Sequence, residues 1–384
     1  MTIYILIFII LLLCCLNEKL LCNKRIRLTL YSALFIFLCM GYMTGSDWRP
    51  YELWYNKLFS LKDVIDYNKE KGFALIMYII HFIGIDFWFF WIFLKVICLI
   101  ITLKTFRSFI GFESSWVLLV FYGYFALYYY IDNPMRNLLA ACIFLMSINS
   151  ILERKFWKFL FLIILASTIH FSVLIFMPCY FLGKKKAISK RMIFLSVIFI
   201  YAITLIVIST GALSNINIFL QLMFGNEYKG FGYVDEEKST GLSLGMSFFV
   251  LIFFYTNMHR ERYLNRIHNV DFIINMSYLY IIFQALGMMI PMLWRFTMYL
   301  SVPFVISLVL PIYYEKNLLK KHIIRTSMVL FLFIVMIKCI QSSAVYVPYS
   351  NYLEYTFKDH PNFSYREDYN PNNSPYSKGG ETYY

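Results

Sequence analysis

Two arginines and a histidine stand where an apolar chain would least tolerate them. Arg136 follows Asn133-Pro134, and a proline disfavours the α region for the residue before it while suiting the first turn of a new helix. Arg136 is therefore expected in the first turn of a helix running to about residue 152. That end of a helix already carries about half a positive charge and unpaired N–H donors. A cation there makes sense if an anion such as a phosphate joins the two, or if the arginine snorkels to lipid headgroups. Trp294-Arg295 repeats the arrangement ahead of a second apolar stretch, 296–314. His170 is the only acidic or basic side chain in 159–182. An intramembrane histidine is often only hydrogen-bonded to a neighbouring helix, yet ionisable groups in such places are functional candidates.

A polar segment, 44–71, adds Asp47, Arg49 and Tyr51 within GSDWRPYELWYN. No spacing in the chain matches a zinc site, a P-loop, a GxSxG elbow or a DxD pair. Asp235-Glu236-Glu237 reads as a solvated acidic turn in preference to a divalent-cation site. What remains is phosphate-gripping cations, one carboxylate able to act as a base, and aromatic rings that can stack on sugars. No metal and no cofactor is implied.

The elements that must position these groups are membrane helices. Of the 384 residues, 60% are hydrophobic and only 15% charged, which is far from soluble norms. The formal charge of +13 reflects topology, not nucleic-acid binding, because Lys and Arg concentrate in alternate loops. The eight cysteines form no CxxC or paired framework and read as small hydrophobes. The pattern gives an all-α, polytopic integral membrane protein of about ten transmembrane helices, with both termini outside. Residues 73–83 are too short to span and are expected in the interface. Residues 159–182 are flanked by basic clusters at both ends, so they are expected to form a re-entrant helical pair with His170 near the tip. One transmembrane domain covers 1–355. The polar remainder, 356–384, is expected to be a disordered external tail, so truncation after Thr356 should be tolerated. Arg49, in a solvated loop among acids, is expected to be replaceable by alanine.

In order along the chain, these residues resemble the signatures of the EpsG/Wzy-like polymerases of bacterial exopolysaccharide, capsule and O-antigen. Gly45-Ser46-Asp47 with Tyr51 resembles their Gly-x-Asp with a nearby Tyr. Asn133-Pro134-Met135-Arg136 resembles their Asn-x-x-Arg helix opening. Ala166, His170, Ser172 and Pro178 resemble Ala-x-x-x-His-x-Ser followed by Pro. Arg295-Phe296-Thr297-Met298-Tyr299 resembles Arg-Phe-x-x-Tyr, and Pro348-Tyr349 a Pro-Tyr after the last span. The similarity covers about 2–355. It departs at Asn137, where an Arg-Gln pair would be expected, and the tail after Tyr355 matches nothing in the family.

The resemblance implies glycosyl transfer at the outer face of the bacterial cytoplasmic (inner) membrane, inverting or retaining. The donor would be a glycan on polyprenyl pyrophosphate and the acceptor the sugar end of another lipid-linked repeat unit. A chain-length regulator and a flippase are possible partners. Arg136 and Arg295 would bind the pyrophosphate leaving group. Asp47 would take the acceptor proton, His170 would bind phosphate or act as acid or base, and Tyr51, Tyr299 and Tyr349 would contact substrate. A glycosyltransferase using a polyprenyl-phosphate sugar, a lipid-linked oligosaccharide flippase and a membrane acyltransferase are the competing readings. The flippase reading lacks the internal repeat common in transporters, and an acyltransferase should direct its His and Arg to the cytoplasmic side.

Overall fold

A computed structural model describes residues 1–67, 69–111, 114–183, 185–210 and 244–377. Asp235-Glu236-Glu237 and most of the second loop expected outside lie beyond the described residues. The described residues are helical almost throughout, with one two-stranded antiparallel ribbon among them, Gly41–Tyr42 paired with Ser350–Asn351. In an apolar solvent each backbone N–H and C=O must be satisfied within the chain, which helices do locally. Among the described residues six helices are long and apolar enough to cross a membrane: Phe87–Ile110, Met135–Leu152, Lys190–Val207, Val270–Met288, Thr297–Tyr314 and Leu318–Ser342. Shorter apolar helices include Thr2–Leu16, Lys71–Phe82 and Phe156–Ile169. Lys190–Ser209 leaves Phe194, Leu195, Ile198 and Phe199 exposed, as a surface facing lipid does.

The chain divides into two compact units, Met1–Ile148 with Trp157–Ile175 and His322–Tyr384, and Asn149–Phe156 with Phe176–Lys321. In the first, Asp86 caps Phe87–Ile110 by accepting from Trp88 N at 2.8 Å, and Gly111 ends that helix at φ 79°. Ser115–Val120 runs on into a π-helical stretch, Phe121–Asp132. It stops at Asn133, whose φ of 67° reverses the winding and whose N–H reaches back to Tyr128 O at 2.9 Å. Pro134 has no N–H to continue the ladder, and Met135–Leu152 starts afresh.

Loops expected on one side of the membrane meet in this unit. Glu18 pairs with Arg325 at 3.0 Å and accepts from Trp116 Nε1 at 3.3 Å. Away from that cluster, the ribbon brings residue 41 beside residue 351, and Gly45 N donates to Val345 O at 3.0 Å.

In the second unit, Thr297–Tyr314 is buried along nearly its whole length. Tyr280 stacks on Phe304 at 3.9 Å. Pro311 cannot donate to the Ser307 carbonyl one turn back, and Thr256 Oγ1 does so instead at 2.9 Å. The loops expected inside gather here too: Arg260 donates to Ile188 O at 2.8 Å, Lys190 pairs with Glu261 at 2.6 Å and Arg262 with Glu315 at 3.0 Å.

Between Arg154 and Tyr180 the chain folds back on itself. Arg154 Nη1 donates to Tyr180 O, and Tyr180 Oη donates to Arg154 O, both at 2.9 Å. A side chain at Gly183 would collide with the Ile151 carbonyl. The intervening residues form Phe156–Ile169 and a 3₁₀ stretch, Phe171–Leu182, broken at His170. Neither piece, about 21 Å and about 24 Å by helical rise, reaches across a core of about 30 Å.

Within the described part of the polar tail, Phe363–Asn373 departs from the disorder expected there. Phe363–Asn373 is helical, capped by Asn362, which accepts from Tyr365 N at 2.9 Å. Its Arg366 donates Nη1 to both oxygens of Glu52, at 2.7 and 2.6 Å, over the rings of Trp48 and Trp88. Asn370, fully buried, donates to Ala344 O at 2.9 Å. Composition misled because a few polar groups, not apolar area, anchor the helix. Breaking one side of a buried ion pair costs about 3–5 kcal/mol. Truncation after Thr356 should therefore lower the apparent melting temperature and the membrane level of the protein, and Arg366→Ala should reproduce most of that loss in a fluorescence-detected thermal scan.

Candidate functional site

The structure builds a site in the first unit from three chain breaks. At the first, Met43 and Gly45 take left-handed backbone, φ 58° and 84°. A Cβ at Gly45 would run into the Ile131 carbonyl, so only glycine lets this turn lie against the end of the π-helix. Ser46 Oγ donates to Asp132 Oδ1 at 2.7 Å. Arg49 is not the solvated residue expected: it is 2% exposed, donates to Gly45 O at 2.8 Å and to Glu367 O at 3.0 Å, and stacks on Trp48. Glu52 nearby is buried too, and Arg49→Ala should be damaging.

The turn launches Trp48–Tyr55, with Asp47 just before the helix and Tyr51 one turn in. Tyr51 is buried against Trp91 and Phe73. Burial, then the Asp47 carboxylate, push its hydroxyl well above the ordinary phenol range against the opposing pull of Arg136. It is a neutral phenol, and it accepts from Arg136 Nε at 2.5 Å.

The second break is Asn133-Pro134, which puts Arg136 in the first turn of Met135–Leu152 as expected. The third is His170. Joining them is a residue that sequence reasoning missed, Glu70, immediately before Lys71–Phe82. Its Oε2 pairs with Arg136 Nη1, and its Oε1 lies 2.9 Å from His170 Nδ1 and 3.2 Å from Phe171 N. Burial would raise the Glu70 carboxyl, but the hydrogen bond with His170 and the charge of Arg136 overcome it and hold the group down at about 2. The contact is possible because a side chain at Gly72 would overlap Thr168, so the helix bearing Glu70 can close on the one before His170. The side chains of Arg136, Glu70 and His170 are 16%, 21% and 16% exposed, partly open and able to meet a ligand. Lys69 adds an ammonium 5.8 Å from the Tyr51 ring.

The other expected site residues are placed differently. Arg295 and Tyr299 belong to the second unit. Arg295 is exposed just before Thr297–Tyr314, whereas Tyr299 is fully buried with its ring 4.8 Å from Phe176, a packing position with no face for a sugar. Tyr349 stacks on Phe37 at 4.9 Å and donates to Phe37 O at 2.7 Å, so its ring and hydroxyl are taken up fastening the last loop to Lys24–Cys39. Among the described residues no three His, Cys, Asp or Glu side chains gather as a metal site.

The signals for Glu70 were faint. It lies 66 residues from Arg136 and 100 from His170, so no local spacing could join them, and it is one acid among several in a polar segment. Its position directly ahead of a short apolar helix was the only hint.

Taken together, these features define a multi-pass membrane protein with a guanidinium, a carboxylate, an imidazole and a phenol around one partly open point. The chain matches the family model described as EpsG over residues 24–357. It belongs to the EpsG family. No curated protein and no solved structure matches it.

The Gly45 turn gives a direct test of how the site is held. Gly45→Ala forces both a left-handed backbone and a backbone clash, a strain of about 1–3 kcal/mol or more. It should abolish function while Gly84→Ala, at a positive φ but with open space around it, leaves most of it; surface-glycan length in complemented cells is the readout.

Proposed function

We propose that this chain is a glycan polymerase. In this reading it transfers a growing glycan from polyprenyl pyrophosphate to a lipid-linked repeat unit at the outer face of the bacterial cytoplasmic membrane. The observation that carries the reading is Arg136, a cation in the first turn of a helix, held by Tyr51 through Nε and by Glu70 through Nη1. Its Nη2 and the N-terminal amides beside it offer an anion a ready site. Membership of the EpsG family supports a polysaccharide product. The reversal between Arg154 and Tyr180 supports a re-entrant path for 156–182, and the clustering of basic loops within each unit supports the orientation with both termini outside.

In the reaction so read, a hydroxyl of the acceptor sugar attacks the anomeric carbon of the donor. The bond from that carbon to pyrophosphate breaks, and the lipid pyrophosphate departs with the electron pair. Arg136 stabilises the charge that develops on it, which is where preorganised donors contribute most. Asp47 lies within electrostatic reach of Tyr51 on the loop that would meet the acceptor. A chain-length regulator and a flippase complete the expected partners.

The test is complementation of a gene deletion. Arg136→Ala should leave a membrane-inserted protein and surface lipid bearing single repeat units, with polymer lost. Arg136→Lys should restore little, since an ammonium is a point charge and cannot offer a phosphate two prongs. Full polymer from Arg136→Ala would remove the reading. Lipid-linked units accumulating on the inner leaflet of the deletion strain would point to a flippase, and loss of one sugar from every unit to a monophosphate-dependent transferase.

A further inference from the structure

We infer that Glu70 is a positioning residue that couples the two ends of the reaction: it holds Arg136 until a donor phosphate takes its place, and then serves His170 alone. This rests on the polymerase reading and adds to it the order in which the site is armed.

The geometry divides one carboxylate between two partners. Oε2 is on the guanidinium of Arg136 and Oε1 on the imidazole of His170, with Phe171 N as a further donor to Oε1. A carboxylate only accepts hydrogen bonds, so the proton between Oε1 and Nδ1 belongs to the ring, and Nε2 carries the lone pair. A carboxylate so placed fixes tautomer and orientation and steadies the imidazolium that forms when Nε2 takes a proton.

On its other side, Glu70 satisfies Arg136 as a phosphate would, with an anionic oxygen on a terminal nitrogen. Phosphates carry more charge and more acceptor oxygens than one carboxylate. When the pyrophosphate of the donor reaches Arg136 and the adjoining helix N-terminus, it displaces Oε2. The charge of Glu70 is then no longer shared, and it bears on His170. The acceptor hydroxyl gives its proton to Nε2 as its oxygen bonds to the anomeric carbon. The leaving pyrophosphate takes the electron pair of the broken bond, and the proton on His170 is afterwards returned to the leaving group or to water. His170 is thus backed by the undivided charge of Glu70 only when the donor is bound. His170 takes the role of proton acceptor in this scheme.

The experiment compares wild type, Glu70→Gln, Glu70→Asp and Glu70→Gln/Arg136→Ala as full chains in nanodiscs, with two readouts. One is steady-state polymerisation of lipid-linked repeat units. The other is binding of inorganic pyrophosphate, which does not depend on turnover. Glu70→Gln should lower kcat by about 10²–10⁴, the usual range for general-base catalysis, and leave donor KM unchanged or lower. The same variant should bind pyrophosphate several-fold more tightly than wild type, and adding Arg136→Ala should abolish that binding. Glu70→Asp, which keeps the charge on a shorter arm, should recover part of kcat and serves as the folding control.

Weaker pyrophosphate binding by Glu70→Gln would overturn the inference, because Glu70 would then only hold Arg136 in shape. Wild-type kcat in that variant would overturn it equally while leaving the polymerase reading intact. A wild-type protein that binds pyrophosphate but makes no polymer would sink the polymerase reading, and the binding comparison would still decide the role of Glu70 toward Arg136.

Discussion

Backbone polarity in an apolar surrounding is the constraint on which the rest of this structure depends. A helix hides its N–H and C=O groups from lipid, and every interruption exposes a few that some other group must satisfy. The chain is interrupted at Gly45, at Asn133-Pro134 and at His170, and these are the places where its reactive side chains stand. At each, the loosened backbone is taken up: Gly45 N by Val345 O, Asn133 N by Tyr128 O, and Phe171 N by the Glu70 carboxylate. Where a proline interrupts a helix away from this site, at Pro311, a threonine hydroxyl fills the gap and no ionisable group is involved. The site is thus a set of helix breaks brought together, with polar side chains supplying what the backbone lost.

Charge is treated differently in the two ion pairs of the first unit that matter most. Glu52 and Arg366 are both nearly enclosed, bonded to each other and, from Arg366, to Pro361 O, with indole rings around them. Such a pair fixes geometry and has nothing left to offer a ligand. Glu70 and Arg136 are more open, and each is shared with a third group. The first pair is closed and the second partly open, and the first fastens the helix that carries Tyr51.

Much of the helical framework was legible in the sequence, and for plain reasons. Uncharged runs bounded by basic clusters mark helices, so Thr2–Leu16 and the start of Phe87–Ile110 coincide with the apolar runs. The break at His170 and the helix start at Pro134 followed from local rules. Arg136 and His170 were visible because each is chemically out of place. Tyr51 was visible by its motif, although its partner was not. What could not be read was anything depending on pairing at long range. Glu70, Arg49 and Arg366 look like ordinary surface charges until residues 52, 136, 170 and 367 are brought beside them. Tyr299 and Tyr349 carried the expected residue type at the expected spacing, and the structure spends both on packing, which a motif cannot distinguish from binding.

The ribbon between Gly41–Tyr42 and Ser350–Asn351 has a consequence for biosynthesis. The turn that carries Asp47 is made well before the strand, the Val345 carbonyl and the Arg366 side chain that complete it. Contacts so distant in sequence form late, because the loop between them must close first. While the segment between them is being made, the nascent protein therefore holds helices but no finished turn.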